Sequence, residues 1–103
     1  MSVSRRIPAE RIARDVAVAT ELLSRRSGVK RVWLFGSAAK GKGLDWRSDL
    51  DFAIEGLPAE ELERTWSELC PRLDLPVDLV RWEAASAALR DEVSRWGKLL
   101  YEA

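Results

Sequence analysis

The residues best suited to chemistry lie between Leu34 and Glu55. An apolar run, Val32 to Phe35, stops at Gly36-Ser37. A loop carrying Lys40, Gly41, Lys42 and Gly43 follows, and Ser48-Asp49-Leu50-Asp51 opens a second apolar run. Side chains alternate across a strand, so Asp49 and Asp51 project from one face while Leu50, Phe52 and Ile54 project from the other. Two carboxylates held side by side repel and require a cation. Hard divalent metals such as magnesium take oxygen ligands and complete their shell with water and phosphate oxygens. The Gly36-Ser37 corner offers a phosphate free backbone N–H groups and a hydroxyl. Lys40 and Lys42 bring positive charge to the same place, and Gly41 and Gly43 leave the backbone free to approach a ligand. A third carboxylate, Asp78, sits within Val77-Asp78-Leu79-Val80. A buried carboxylate there needs a cation, a strong hydrogen-bond set or a proton, and a metal shared with Asp49 and Asp51 would serve. An ordinary edge-strand aspartate is the competing reading.

The elements that must hold these residues read as α-β-(turn)-β-α-β-α. Residues 1–7 read as a frayed end. Pro8 suits a first helical turn, and Ile12, Val16, Ala19 and Leu23 recur at helical spacing until Gly28, with Arg11, Arg14, Asp15, Glu21 and Arg25 on the surface. Arg25, Arg26, Lys30 and Arg31 form a basic cluster, best read as a solvated helix end. Val32–Phe35 and Asp49–Glu55 are strands. Pro58 to Leu73 reads as a helix with Leu62, Trp66, Leu69 and Leu73 as its apolar stripe, and Trp66 as core. Leu75 to Trp82 holds a third strand. A last helix, Ala84 to Trp96, ends at Gly97, and the apolar Leu99-Leu100-Tyr101 adds an edge strand or docks on another chain. Trp46 either stacks on a base or folds back locally, and Arg47 contacts phosphate or Asp45. This order gives an α+β fold: a small mixed sheet with helices on one face, leaving the carboxylate face open.

Composition narrows the function. At 103 residues the chain is a single domain, 1–103, without repeat or linker. Lys plus Arg and Asp plus Glu are 17 each, so there is no basic excess of the kind that general nucleic-acid binding requires. No run is long enough to span a membrane, there is no secretory apolar stretch, and Cys70 is alone; a cytoplasmic protein is expected. Histidine is absent, which excludes imidazole bases, Ser-His-Asp catalysis and histidine-bound zinc. Any reaction must run on carboxylates, hydroxyls, lysines and bound metal.

Gly36-Ser37, Gly41, Asp49-Leu50-Asp51 and Asp78, with the ending Arg95-Trp96-Gly97-Lys98-Leu99-Leu100-Tyr101-Glu102, resemble the nucleotidyltransferase superfamily that includes DNA polymerase beta. The resemblance runs from Lys30 to the end, and the minimal nucleotidyltransferases (MNT antitoxins of HEPN/MNT toxin–antitoxin pairs) are the members it suggests. It implies transfer of AMP from ATP to a hydroxyl, with release of pyrophosphate, on a two-ion magnesium site with ions about 4 Å apart. By the same resemblance Asp49 and Asp51 bridge both ions, and Asp78 completes one shell or takes the acceptor's proton. Gly36, Ser37 and Gly41, with Lys40 or Lys42, would hold the β- and γ-phosphates. The position before Gly41 is often Arg in the family; Lys40 keeps the charge without the bidentate fork. The implied acceptor is a tyrosine of a HEPN-type toxin. With no second lobe here, a partner or another subunit must complete the site, as a homo- or hetero-oligomer. Two alternatives stand beside this: a module that neutralises its partner by occlusion, and a small-molecule nucleotidyltransferase. Mutually repelling aspartates argue against the first, and the missing acceptor domain against the second.

Overall fold

The computed structural model describes residues 7–41, 44 and 48–103. Helix α1 spans Ala9–Ser24 and follows Pro8, whose φ of −57° already suits a helix. Strands β1 (Arg31–Phe35) and β2 (Leu50–Glu55) come next. A 3-10 turn, Ala59–Glu61, leads into α2 (Leu62–Leu69), and a second, Cys70–Arg72, leaves it. Strand β3 is Val77–Arg81, α3 is Ala87–Trp96 and β4 is Lys98–Glu102. The sheet order is β3-β2-β1-β4. β1 pairs antiparallel with β2 and β4, while β2 and β3 run parallel. A parallel pair needs a crossover, and α2 with its flanking turns provides it.

The expected helix from Pro58 to Leu73 is regular only over Leu62–Leu69, because Pro71 removes a backbone donor and the chain tightens into a 3-10 turn. The last helix starts at Ala87, not Ala84. Ser86 caps it, its Oγ accepting from the Leu89 N–H at 3.1 Å. The Leu99–Tyr101 tail forms the edge strand β4, with Leu99 half-exposed and a register shift opposite Val32/Trp33.

Alternation sorts the sheet into two faces. Val32, Leu34, Leu50, Phe52, Ile54, Val77 and Leu79 pack with α1 and α2 in the main core. Fully burying a side chain such as Phe52 or Leu50 contributes about 1.5–3 kcal/mol, more than the ~0–1 kcal/mol of a surface ion pair. The opposite face carries Trp33, Phe35, Ala53 and Val80, which pack with Leu89 and Val93 of α3 and with Trp82. Thus α1 and α2 share one face as expected, but α3 lies on the other. The reason is that apolar residues alternate onto that face beside the carboxylates and need cover. Trp33 and Trp82 stack at 4.8 Å, and the Arg90 guanidinium lies 5.1 Å over the Trp82 ring while donating to the Trp82 carbonyl at 2.9 and 3.1 Å.

Two expectations for the first helix are corrected. Ile7 is not frayed: it is buried, and its N–H donates to the Leu44 carbonyl at 2.8 Å, so its apolar side chain joins the core. Asp15 is not on the surface but fully buried. Its Oδ2 accepts from the Asp74 and Leu75 N–H groups, both at 2.9 Å, and its Oδ1 from Arg14 at 3.0 Å. Helical spacing told that Asp15 lay off the main stripe but not that a loop would close over it. Arg11 adds an ion pair to Asp74 at 2.5 Å, which holds the Asp74 carboxyl below its usual range. Together these clamp α1 to the entry of β3. Three of the four residues of the basic cluster form ion pairs: Arg25 with Glu21, Arg26 with Glu68, and Arg31 with Glu55 and Glu102.

Candidate functional site

The sheet register builds the site. Phe35 of β1, Asp51 of β2 and Asp78 of β3 are successive cross-strand partners, so they form one row on one face. Asp49 lies just before β2 and is exposed. Asp78 is exposed too, contrary to the buried setting its apolar neighbours suggested, because β3 is a sheet edge. Asp51 is half-buried between them. Its carboxyl is pushed up to about 6, first by burial and then by the charges of Asp78, Asp49 and Glu92.

Gly36 ends β1 directly against this carboxylate. Its φ is +76°, and a Cβ placed on it would stand 2.4 Å from Asp51 Oδ2. A side chain there would strain the backbone and push the Asp51 carboxylate aside. Residues 36–41 form a turn, with the Lys40 N–H on the Gly36 carbonyl at 3.2 Å and the Gly41 N–H on the Ala38 carbonyl at 3.4 Å. Buried Ala39 pins the turn to the core, while Ser37 and Gly41 are exposed beside it. Lys40 reaches across to α3, its Nζ 3.6 Å from Glu92 Oε1. Lys42, with Gly43, Asp45, Trp46 and Arg47, lies outside the described residues, so their expected contacts are not described.

The structure therefore brings Asp49, Asp51, Asp78, Gly36 and Lys40 to one place, with Ser37 and Gly41 on the same turn. Among the described residues no three His, Cys, Asp or Glu side chains are already closed around one point as a ready-made metal cage. The carboxylates are electrostatic neighbours around an open mouth. Glu92 escaped the sequence reading. Its signal was its place three residues after Leu89 and next to Val93, which matters only once α3 is known to cover the carboxylate face.

Trp66 also differs from expectation. It is 44% exposed in the middle of α2, and its Nε1 donates to the Val77 carbonyl at 2.8 Å. A cleft of about 260 Å³ opens there, lined by Leu62, Glu63, Trp66, Asp78 and Leu79. A larger cavity, about 410 Å³, lies between α1 and α2 among Arg25, Arg26, Glu21 and Glu68. It is on the other face of the sheet from the carboxylates, beside α1 and α2.

Comparison with known proteins shows the family and the fold. The family model described as "Polymerase beta, Nucleotidyltransferase" matches residues 18–103. No curated protein matches the chain in sequence. Among solved structures, a toxin–antitoxin with AMP-PNP is 25% identical, with a TM-score of 0.68 over 94% of this chain and 75% of that one. A complex of tri-AMPylated Shewanella oneidensis HEPN toxin with MNT antitoxin is 25% identical, with a TM-score of 0.67 over 90% and 73%. A protein described as a minimal nucleotidyltransferase is 31% identical, with a TM-score of 0.66 over 84% and 89%.

Proposed function

Because the chain belongs to the polymerase beta nucleotidyltransferase family, we propose that it moves AMP from ATP to a tyrosine hydroxyl of a HEPN-type toxin and thereby acts as that toxin's antitoxin. In this reading the whole chain, 1–103, is one transferase domain working in the cytoplasm, and the toxin completes the acceptor side. The observation that carries it is Asp51: a half-buried carboxylate hemmed in by Asp49, Asp78 and Glu92, with Gly36 laid directly against it. The AMP-PNP complex and the tri-AMPylated toxin complex among the similar structures support the choice of donor and acceptor.

The donor set fits magnesium, since clustered carboxylate oxygens with surplus negative charge suit a hard divalent ion. Asp49, Asp51 and Asp78 would hold it, and when bound it supplies charge neutralisation and orientation for the triphosphate. The chain's own groups do the rest. Ser37 and the turn amides bind the β- and γ-phosphates, Gly41 keeps that turn open, and Lys40, with Lys42 beside it, adds positive charge. The acceptor oxygen bonds to the α-phosphorus as the bond to the bridging oxygen breaks, and pyrophosphate leaves with that electron pair. The acceptor's proton passes to the Asp78 carboxylate. No described helix is long and apolar enough to cross a membrane.

Intact-mass spectrometry of the co-purifying partner, after incubation with ATP and magnesium, tests this. The partner should gain AMP masses with wild type and none with Asp49→Asn/Asp51→Asn. A partner that binds but never gains mass would sink the enzymatic reading and leave neutralisation by occlusion.

A further inference from the structure

We propose that Glu92 is a positioning residue for Lys40: it draws the lysine ammonium away from the aspartates and so keeps the metal's seat open until the triphosphate arrives. The inference rests on the metal-dependent transfer reading and says how the chain's own cation is kept out of the metal's place. Asp49, Asp51 and Asp78 are electrostatic neighbours, and Lys40 lies one turn from Gly36, which is laid directly against Asp51. A lysine ammonium is a mobile point charge on a four-carbon stem, and the strongest negative potential nearby belongs to those aspartates. Unrestrained, it would settle on them. An ammonium there would neutralise the oxygens that a divalent ion needs.

The ammonium lies elsewhere. Lys40 Nζ stands 3.6 Å from Glu92 Oε1, and among the described residues no lysine or arginine is within ion-pair distance of Asp49, Asp51 or Asp78. Burial and three neighbouring acids push the Asp51 carboxyl up to about 6, and no described cation offsets them. Both ends of the pair are set by the fold. Buried Ala39 and the bond from the Lys40 N–H to the Gly36 carbonyl fix the turn. On α3, Val93 is buried with Phe35 and Ala53, which holds the adjacent Glu92 on the carboxylate face. The two side chains are only 33% and 37% exposed, so their attraction is screened less than that of a surface pair. At 3.6 Å the contact is longer than the ~2.7–2.9 Å of a charge-assisted hydrogen bond. It therefore restrains the ammonium while leaving its donors for a phosphate to take. The next acid along, Asp91, is more exposed and pairs within its own helix, with Arg95 at 3.1 Å.

The test follows binding of manganese, which suits the same carboxylate oxygens as magnesium, to the full chain by electron paramagnetic resonance. Wild type, Glu92→Gln, Lys40→Met and the double variant are titrated with the metal alone and with AMP-PNP present. Glu92→Gln should weaken binding of manganese alone by about threefold or more, a modest coupling for residues in contact. In the Lys40→Met background the same substitution should change it by less than about twofold, because no ammonium is left to move. AMP-PNP should shrink the difference, since its phosphates then hold the lysine. Asp91→Asn removes an equal charge one residue away and should leave affinity within about twofold, as for other exposed pairs. Equal losses with and without Lys40 would mean that Glu92 acts on the metal by its own charge, and would overturn the proposal. No loss in Glu92→Gln, or a loss as large in Asp91→Asn, would overturn it as well. So would a wild type that binds manganese only with AMP-PNP, since no seat then stands open beforehand. A wild type that binds manganese in neither condition would instead overturn the metal-dependent reading, and the role of Glu92 with it.

Discussion

Asp15 and Asp51 are both carboxylates taken out of water, and the fold treats them in opposite ways. Asp15 is fully enclosed, yet it accepts two backbone N–H bonds and one from Arg14. Asp51 is less enclosed, but its ionisation is opposed by burial and by three neighbouring acids. A buried charge with its partners supplied serves structure; one with its partners withheld must be waiting for something that arrives later. The contrast separates a residue that holds the protein together from one that the protein holds under tension.

Substitutions should pull the two apart. The largest effect is expected at the site: Asp51→Asn or Asp49→Asn should lower AMP transfer by about 10³-fold, the scale for losing a preorganised charge-stabilising group, with the circular dichroism spectrum unchanged. Asp15→Ala should do the reverse in kind. It strands two backbone donors near the start of β3 and should cost about 3 kcal/mol in urea unfolding, since each buried unsatisfied group costs ~1–3 kcal/mol. Asp51→Asn losing comparable stability would erase the distinction.

Gly36→Ala sharpens the comparison from the backbone side. It places a Cβ in a left-handed conformation and against Asp51 Oδ2. About 1 kcal/mol or more of stability should go, with transfer reduced at least as strongly as binding of the magnesium–ATP complex. If that variant transfers AMP at the wild-type rate, the close approach has no part in the site.

The smallest effect is in pH dependence. The folded carboxyl of Asp51 titrates near 6, above the ~3.9 of an unfolded aspartate. Between these values the folded state binds more protons, so stability falls as pH rises from about 4 to 6, and the loss is complete above 6. After solvent screening at this half-exposed group the change should be on the order of 1 kcal/mol. Thermal unfolding in metal-free buffer should show this slope in wild type, lose it in Asp51→Asn, and shift it to lower pH in Glu92→Gln. Magnesium should restore stability mainly above pH 6.

Much of this was legible in the chain. Asp49, Asp51 and their apolar alternates were readable because a strand's period is two, and that period follows from the chain alone. Gly36 was readable as a corner, since glycine after an apolar run has few other uses. Asp78 was legible as a third carboxylate, but its exposure only as the competing edge-strand reading: edge or centre is a property of strand order, which no local pattern encodes. Trp66 was misplaced for a related reason. Its spacing from Leu62 and Leu69 is helical, but the buried side of α2 falls on Thr65 and Leu69, which leaves Trp66 on the flank. Asp15, Glu92 and the position of α3 were hidden because each depends on a partner far along the chain.

The Asp15 clamp also bears on the order in which the molecule assembles. The bond from Leu75 to Asp15 spans 60 residues, whereas β1 and β2 are joined by one loop. Closing the longer segment costs more chain entropy, so it is expected to lag behind the β1–β2 hairpin. Pulse-labelled hydrogen exchange during refolding should find the Asp74 and Leu75 amides protected after those of β2; earlier protection would contradict this. Until that late closure, Asp78 has no fixed place beside Asp51. The mutually repelling charges are then gathered only after apolar contacts strong enough to hold them have formed.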